Sequence, residues 1–347
     1  MPDFLHKVSV IGCGFGAVHM ELLQATGAVQ FERLVYHKNQ ERAEKLAAKF
    51  GFLGVDESIE KLLLDDSDVV VITSPVASHA AHVTACLRAR KSVVCDKPLA
   101  MSYEEARFLE EYARKQGVVA TTFFQWRHHP GVKAFFNALL QHELGALYHL
   151  DLQFRHDFLA NASTAWPWRH KWSTAGAGAF GDQGVHLIDL ALWAGGGEGE
   201  VMFAEGWQTA SQRTAPDGSQ ISCETEDVGT AILKLKSGLE ASIFVCRATP
   251  GCRELRFTAT AARGTAMITV STDDGSYRIS GLQNHGRPGS GGNPYQDWLA
   301  KDSAGLVPGL SLRDGVAAQR LLDEIQRSFI KTSNRHEESF QSSPATL

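Results

Sequence analysis

The sequence predicts an α/β domain built on a doubly wound parallel sheet, followed by an α+β domain with a large, mainly antiparallel open sheet. The chain has 347 residues, which is more than one hydrophobic core usually organises. Residues 7–124 alternate short β-branched runs with helical periods, as parallel βαβ units do. Beyond Pro130, strands of alternating polarity separated by turn signals indicate a sheet with one solvated face. We therefore place the domains at residues 1–124 and 125–347.

Five β-branched runs in the first half predict the strands of the parallel sheet. They are Val8–Ile11, Leu34–Tyr36, Val69–Thr73, Ser92–Cys95 and Val118–Phe124. Apolar residues between Ala43 and Phe50 recur at helical spacing, and Gly51 stands where a helix C-terminus favours glycine. Ser102 and Glu105 have the spacing of a capping box, which predicts the start of another helix.

The second half predicts a helix followed by a series of hairpins. Apolar residues of 132–140 recur at helical spacing, as do those of 316–325 near the end of the chain. The predicted strands cover 146–156, 201–209, 228–236, 239–247, 253–260 and 266–271. The turn signals that suit antiparallel hairpins are Asp217-Gly218, Ser237-Gly238 and Asp274-Gly275. Residues 284–293 are rich in glycine, which predicts a mobile loop.

Composition narrows the classes of partner. The net charge is −5 and no basic block accompanies it, so we expect no binding to nucleic acid or to anionic lipid. No apolar run reaches the roughly 18 residues of a membrane span, and the N-terminus lacks a secretory signal, so we expect a cytoplasmic protein. The six cysteines form no CxxC pair, which predicts reduced thiols and no zinc site. These features favour a small-molecule partner.

The stretch SVIGCGFGAVH, from Ser9 to His19, carries the first functional signal. Gly12, Gly14 and Ala17 satisfy GxGxxG/A between a predicted strand and a helical stretch, which is the context of a dinucleotide-binding Rossmann fold. The first glycine permits a sharp turn and the second lets a pyrophosphate approach the backbone. The small third residue lets helix and strand pack closely. The alternative is a glycine turn that serves packing only.

The end of the second predicted strand bears on the choice of cofactor. An NAD-preferring fold usually has an acid there, which accepts the ribose hydroxyls. The residues here are Tyr36-His37-Lys38-Asn39, which offer no carboxylate and place His37 and Lys38 where they could neutralise a 2′-phosphate. We therefore expect NADP(H) to be preferred, with NAD(H) possible. The alternative is that Lys38 is a solvated charge at a helix start.

Three further segments extend the pattern. They are VVVITSPVASHAAH (Val69–His82), VVCDKPLA (Val93–Ala100) and AGAGAFGDQGVHLIDLALW (Ala175–Trp193). With the glycine loop and the domain order, they resemble the Gfo/Idh/MocA oxidoreductase family across nearly the whole chain. The resemblance implies a Rossmann domain, a nicotinamide cofactor and hydride transfer at a carbon that bears a hydroxyl or keto group. The family's usual Glu-Lys-Pro is Asp96-Lys97-Pro98 here, which shortens the reach of the acid by one methylene.

Lys97, Asp182 and His186 are the catalytic residues that this resemblance implies. Lys97 follows a strand at the carboxyl edge of the predicted sheet, where its ammonium can stabilise a developing alkoxide. Asp182 and His186 stand four residues apart and share a face if the segment is helical. His186 is the expected acid/base, while Asp182 holds the substrate or the imidazole. Taken alone, the pair is more typical of a capped helix with a buried histidine, and only the family match at both positions favours catalysis.

Other positions match family segments that contact cofactor or substrate. The predicted cofactor contacts are Gly12, Gly14, Phe15, Gly16, Ala17, His37, Lys38, Thr73, Ser74, Pro75, His79, Asp96, Lys97, Trp168 and Arg169. The predicted substrate contacts are Lys97, Arg127, Trp168, Asp182 and His186. Trp166, Trp168 and Trp172 could stack on a sugar ring or pack a loop between domains. The adjacent His128 and His129 point apart and predict no metal site.

The expected function is that of an NADP(H)-dependent dehydrogenase or reductase that acts on a polyol or keto-sugar, a sugar derivative or a cyclitol. One alternative is a family variant that uses bound nicotinamide for redox-assisted glycoside cleavage with no net oxidation. Another, from a different class, is a non-catalytic NADP-binding sensor, which should lack the three catalytic residues. The resemblance also implies a homodimer or homotetramer.

Overall fold

The computed structural model describes residues 5–161, 163–164, 168–215, 217–282, 292–299 and 311–341. Trp166 and most of the glycine-rich stretch 284–293 lie outside these residues. The chain divides into two compact units, Met1–Pro130 with Gly291–Gln319 and Gly131–Ser290 with Arg320–Leu347. The first unit thus contains two separate stretches of the chain, because Gly291–Gln319 belongs to it as well. A prediction with one boundary between two domains cannot describe this arrangement. The division into domains 1–124 and 125–347 stays a prediction.

Fifteen strands and ten α-helices follow one another in the described part of the chain. The strands are β1 (His6–Ile11), β2 (Val29–Val35), β3 (Gly54–Asp56), β4 (Val69–Ile72), β5 (Ser92–Asp96), β6 (Ala120–Phe123), β7 (Leu147–Arg155), β8 (Gly199–Trp207), β9 (Gln212–Thr214), β10 (Gln220–Ser222), β11 (Val228–Leu235), β12 (Glu240–Cys246), β13 (Glu254–Ala261), β14 (Gly264–Ser271) and β15 (Tyr277–Ser280). The α-helices are α1 (Gly16–Gln24), α2 (Gln40–Phe50), α3 (Glu60–Leu64), α4 (His79–Arg88), α5 (Tyr103–Gln116), α6 (Pro130–Leu140), α7 (Trp172–Ala175), α8 (Val185–Gly195), α9 (Pro294–Leu299) and α10 (Leu312–Gln341). Among the described helices, none has both the length and the apolar character to cross a membrane.

The sheet of the first unit has the order β3-β2-β1-β4-β5-β6, and all of its strand pairs are parallel. Every residue of β4 is buried, because helices cover both faces of the sheet. Val69 and Val71 pack in one core with residues of α1 and α2, whereas Val70 and Ile72 pack in another with residues of α4 and α5. This confirms the predicted doubly wound α/β domain.

Local sequence signals set the ends of the helices in this unit. Gly51 follows α2 in the left-handed conformation, with φ at +79°, as a C-terminal glycine does. The hydroxyl of Ser102 accepts the N–H of Glu105 at 3.2 Å and begins α5. Strand β3 was not predicted, because three residues are too short to show a periodic pattern.

The second unit is built on a seven-stranded sheet with the order β15-β14-β13-β7-β12-β11-β8. Its neighbouring strands are antiparallel except for β7 and β12, which run parallel. In β7, the side chains of Leu150, Leu152 and Phe154 are buried while their neighbours are partly exposed, so one face carries the core. Helix α8 packs on this face against β7, β11 and β12. The predicted α+β domain with a mainly antiparallel open sheet is therefore confirmed.

Candidate active site

The glycine loop connects β1 to α1 at the carboxyl edge of the parallel sheet. Gly12 has φ of +113°, and a Cβ there would lie 2.7 Å from the carbonyl oxygen of Thr73. A Cβ at Gly14 would meet nothing within 4 Å, so the backbone faces open space at this position. This loop, ahead of the N-terminus of a nine-residue helix, fits the pyrophosphate of a dinucleotide.

Two of the predicted cofactor contacts are next to this loop: Ala17 follows it in the chain, and Thr73 packs against it. A Cβ at Gly16 would lie 2.7 Å from Oγ1 of Thr73, so this residue also packs closely, and Ala17 next to it is half-buried. The packing role of Ala17 stays a prediction. The Thr73 hydroxyl donates to the carbonyls of Ile11 and Gly12 at 3.1 and 3.3 Å. Thr73 thus supports the loop from the protein side, whereas the side chain of Phe15 is 38% exposed.

A basic residue that sequence reasoning missed lies beside the same loop. Arg42, in the first turn of α2, donates from Nε to the carbonyl of Cys13 at 2.9 Å. Its backbone N–H is capped by Oδ1 of Asn39 at 2.9 Å. His37 and Lys38 are both exposed at the end of β2. A cation in the first turn of the helix after the second strand was the signal that could have identified Arg42.

Lys97 follows β5, and the backbone around it is held from two sides. Oδ1 of Asp96 accepts the N–H of Lys97 at 2.8 Å, and the peptide bond from Lys97 to Pro98 is cis. The buried His79 ring lies with Nδ1 2.9 Å from the Pro98 carbonyl oxygen and Nε2 2.8 Å from that of Ser74. Burial lowers the pKa of His79, although both carbonyls oppose the shift. Each ring nitrogen faces a carbonyl oxygen, so the ring links the loop after β4 to the loop after β5.

The remaining predicted residues of this edge lie close by. The Ser74 hydroxyl is 3.0 Å from Nδ1 of His82, and the exposed Pro75 precedes a short 3-10 turn. Arg127, predicted to contact substrate, forms an ion pair in which its Nη2 lies 3.4 Å from Oδ1 of Asp314. The structure therefore gives Arg127 a structural partner within the first unit.

In the second unit, a π-helical turn at Phe180–Gly184 leads directly into α8. The sequence predicted a helix with Asp182 and His186 on one face. The backbone N–H of Val185 reaches the carbonyl of Phe180, five residues back, so Asp182 lies in the π turn and His186 in the first turn of α8. Single π turns inserted in helices are frequent at functional sites, because they re-aim the side chains they carry. His186 is buried at 3% exposure.

The Asp182 carboxylate is held by two arginines. Its Oδ1 lies 3.2 Å from Nε of Arg169, and its Oδ2 lies 3.1 Å from Nη1 of Arg247. The side chain of Asp182 is about a quarter exposed, whereas that of Arg247 is fully buried. Sequence reasoning assigned Asp182 to the substrate or the imidazole, and the structure adds two guanidinium partners to that role.

Arg247 is in turn fixed by a buried acid. Its Nε donates to Oδ1 of Asp227 at 3.0 Å, and Oδ2 of Asp227 accepts the N–H and hydroxyl of Thr209 at 2.9 and 2.7 Å. Although burial opposes it, Arg247 and Thr209 hold the pKa of Asp227 below its usual value. Arg213 lies 3.4 Å from the same carboxylate. The charges run in one connected series from Arg169 to Arg213, which we call the buried ion network.

The sequence carried a weak signal for this network. Asp227 directly precedes the buried strand β11, and Arg247 directly follows β12, as Lys97 directly follows β5. Charged residues that border a buried strand can reach a site at the sheet edge, yet spacing alone did not pair them.

The tryptophan segment is only partly described. Trp168 is 39% exposed, and the guanidinium carbon of Arg169 lies 4.4 Å from its ring centroid, a cation–π contact. Trp172 begins α7. Lys97 belongs to the first unit and Asp182 and His186 to the second, so the expected convergence of these three residues stays a prediction.

Known proteins share both halves of this chain. A family profile described as "Oxidoreductase family, NAD-binding Rossmann fold" matches residues 6–124, and one described as "GFO/IDH/MocA C-terminal domain" matches residues 132–267. The chain is 30% identical over 194 residues to glucose-6-phosphate 3-dehydrogenase of Bacillus subtilis, covering 54% of this chain and 53% of that protein. It is 29% identical over 197 residues to levoglucosan dehydrogenase of Pseudarthrobacter phenanthrenivorans, covering 54% and 50%. The match thus spans about half the length of these curated relatives.

A solved structure extends the likeness of fold over nearly the whole chain. Levoglucosan dehydrogenase in complex with NADH and L-sorbose superposes with a TM-score of 0.79 at 21% identity, covering 94% of this chain and 97% of that one. At this identity the likeness concerns the fold. The two profiles and the glycine loop agree with it, and the chain belongs to the Gfo/Idh/MocA family of oxidoreductases, with an NAD-binding Rossmann fold.

Proposed function

We propose that the protein is an NADP(H)-dependent oxidoreductase that transfers hydride at a carbinol or keto carbon of a sugar, a sugar derivative or a cyclitol. One observation carries the proposal: the glycine loop after β1 and Lys97 after β5 lie at the same carboxyl edge of the parallel sheet, with β4 between them. A nicotinamide cofactor bound at this edge supplies the hydride donor or acceptor. Two relatives are named as dehydrogenases of glucose-6-phosphate and of levoglucosan, and these names support this substrate class.

We assign Lys97 to polarisation of the reacting oxygen. Asp96 and His79 fix the backbone on either side of it, so its ammonium is presented from a rigid loop. His186 is assigned to proton exchange with the hydroxyl or keto oxygen. The Asp182 carboxylate forms ion pairs with Arg169 and Arg247. We therefore assign Asp182 to positioning and not to proton transfer.

A preference for NADP(H) follows from the cations around the end of β2. Arg42 lies against the glycine loop, and His37 and Lys38 are exposed one turn away along the chain. Residues 36–39 contain no carboxylate that would repel a 2′-phosphate. A guanidinium matches the geometry of phosphate oxygens better than an ammonium does. Arg42 therefore supports the proposed NADP(H) preference more strongly than Lys38 does.

The first experiment assays the purified protein with polyols, sugars and keto-sugars in the presence of NADP(H) or NAD(H), following absorbance of the reduced cofactor. We expect stoichiometric turnover with at least one compound, and Lys97→Ala should abolish it while cofactor affinity stays within about threefold. The double variant Lys97→Ala with His186→Ala should lose little more than either single variant, because both groups would act on one oxygen. Glycoside cleavage without net cofactor change would favour the redox-assisted alternative. Cofactor binding without any turnover would favour a sensor.

The second experiment titrates NADPH and NADH by nicotinamide fluorescence. We expect tighter binding of NADPH, and Arg42→Ala should weaken it about tenfold, since a hydrogen bond to a charged group contributes roughly 1.5 kcal/mol. NADH binding should stay nearly constant. Lys45→Ala is the matched control, because Lys45 lies on the same helix and pairs with Glu41 at the surface. Equal affinity for both cofactors would contradict the proposed preference.

A further inference from the structure

Glu226 is a buried carboxylate that the proposed chemistry does not use. It lies two residues before β11, next to Asp227, and 2% of its surface is exposed. Its Oε1 accepts the N–H of Phe180 at 2.9 Å, and both of its carboxylate oxygens lie 3.1 Å from the nitrogen of Gly178. Its backbone carbonyl accepts the N–H of Ala179 at 2.8 Å. One residue therefore receives three consecutive donors at the start of the helical segment that carries Asp182.

The surroundings of Glu226 leave little freedom. A Cβ added at Gly178 would overlap both the backbone and the carboxyl carbon of Glu226, so the two segments are in direct backbone contact. A Cβ added at Gly206 on β8 would lie 2.9 Å from the Phe329 ring and 3.2 Å from Cγ of Glu226. Burial raises the pKa of Glu226 to about 7, in spite of the N–H groups and Arg247. The fold thus keeps an acid where burial opposes its charge, and its hydrogen bonds go to the segment that carries Asp182.

We propose that Glu226 is a positioning residue, which together with Asp227 sets the location of Asp182 and His186 on the second unit. Glu226 holds the backbone at the start of the helical segment, and Asp227 holds Arg247, which in turn binds the Asp182 carboxylate. Two consecutive acids thus fix Asp182 through its backbone and through its side chain. The π turn and α8 are continuous, so a shift at their start also moves His186. The inference rests on the proposed function, which gives these two residues their roles.

The alternative is a helix cap that only stabilises the fold. N–H groups at a helix N-terminus carry partial positive charge, and a buried anion there stabilises any helix. A glutamine of the same size would keep one accepting oxygen but turn an NH2 group toward backbone donors. A simple cap predicts that this change lowers stability and leaves the chemical step intact. A positioning role predicts that hydride transfer slows in a protein that is still folded.

The test compares full-length wild-type protein with Glu226→Gln, Glu226→Asp and the control Glu224→Gln. Glu224 lies in the same segment, and its Oε2 accepts the N–H of Trp172 at the start of α7, which carries none of the predicted catalytic residues. Hydrogen–deuterium exchange follows the backbone amides of residues 178–186. We expect Glu226→Gln to speed their exchange about tenfold, Glu226→Asp less, and Glu224→Gln not at all. Unchanged exchange in Glu226→Gln would overturn the proposal.

A kinetic measurement separates positioning from capping. With NADPH deuterated at the transferred position, Glu226→Gln should lower kcat by about tenfold or more and enlarge the primary isotope effect. The Kd for NADPH should stay within about twofold, and Glu226→Asp, which keeps the charge, should recover part of kcat. Faster exchange with wild-type kcat and isotope effect would identify a simple cap and overturn the proposal. If the wild-type protein transfers no hydride, the proposed function fails, while the exchange measurement still decides whether Glu226 holds the helix start.

Discussion

The two units hold their predicted catalytic residues in different ways. In the first unit, the loop that presents Lys97 is tied to its neighbour by one buried imidazole between two backbone carbonyls. In the second unit, Asp182 is held by the buried ion network, in which fully buried Arg247 and Asp227 carry opposite charges. A buried carbonyl that loses its hydrogen-bond donor costs about 1–3 kcal/mol, whereas a buried charge that loses its partner costs about 3–5 kcal/mol. Substitutions of these supporting side chains should therefore lower the free energy of unfolding more in the second unit than in the first.

The difference also concerns distance along the chain. His79 joins carbonyls five and nineteen residues away, so its contacts follow from the loops at neighbouring strand ends. Arg247 is 65 residues from Asp182 and 20 from Asp227. The first kind of support belongs to a local motif, and the second requires the whole sheet to be assembled.

The largest expected effect is that of Arg247→Met. This substitution removes the guanidinium that pairs with the buried Asp227 carboxylate and with Asp182. Because a buried charge is then left without this partner, we expect the free energy of unfolding to fall by about 3–5 kcal/mol. Arg169→Met is the comparison, because the Arg169 side chain is 31% exposed, and it should cost below about 1 kcal/mol. Urea unfolding followed by circular dichroism measures both. Similar small losses would show that the buried ion network does not hold the site.

The next effect is a pH dependence that arises from Glu226 in the second unit. Burial raises the pKa of Glu226 from 4.5 to about 7, so the folded protein retains a proton that the unfolded chain has released between these values. The stabilisation is full below pH 4.5 and is lost as the pH rises through 7. Relative to Glu226→Gln, the wild-type protein should lose roughly 3 kcal/mol over this range. Arg247 is the charged side chain that acts on Glu226.

Urea unfolding of both proteins from pH 4 to pH 8 tests this, since subtracting one curve from the other removes the contributions of all other groups. Parallel curves would show that Glu226 titrates as an ordinary carboxyl, and the contrast between the two units would then rest on the arginines alone.

The smallest expected effect is that of His79→Leu. It removes the donor that serves the carbonyls of Ser74 and Pro98, and an unpaired buried acceptor costs about 1–3 kcal/mol. His79→Gln keeps an N–H donor and should cost less. Urea unfolding gives the stability, and kcat with the best substrate reports on Lys97. If His79→Leu were as costly as Arg247→Met, the two units would not differ in the way described.

Much of the fold could be predicted from the sequence, because its signals are local. The β-branched runs predicted five of the six parallel strands, and the turn at Asp217-Gly218 is followed by β10, which pairs with β9. Strands β3, β9, β10 and β15 were missed because each has only three or four residues and none carries a β-branched run like that of the equally short β4. The parallel pairing of β7 with β12 was also beyond reach, because alternation shows which face of a strand is buried but not its partner.

The site residues also fall into two groups, those that local sequence signals predicted and those that they did not. The glycine loop and the strand end at Asp96-Lys97 could be read directly, since both are short motifs next to strong strands. Glu226 and Arg247 escaped prediction, because nothing in their spacing points to the atoms that they contact. Arg42 was missed although its place in the first turn of α2 was a usable signal.

The sequence by itself determined the element types, the family and the residues capable of the chemistry. These properties depend on periodicity and on motifs whose members are near neighbours along the chain. Only the tertiary structure decided which groups hold those residues in place, including the His79 bridge, the two arginines on Asp182 and the carboxylate under the π turn. The physical reason is that a charge or donor acts across a few ångströms of space, and the fold alone brings together residues separated by dozens of positions.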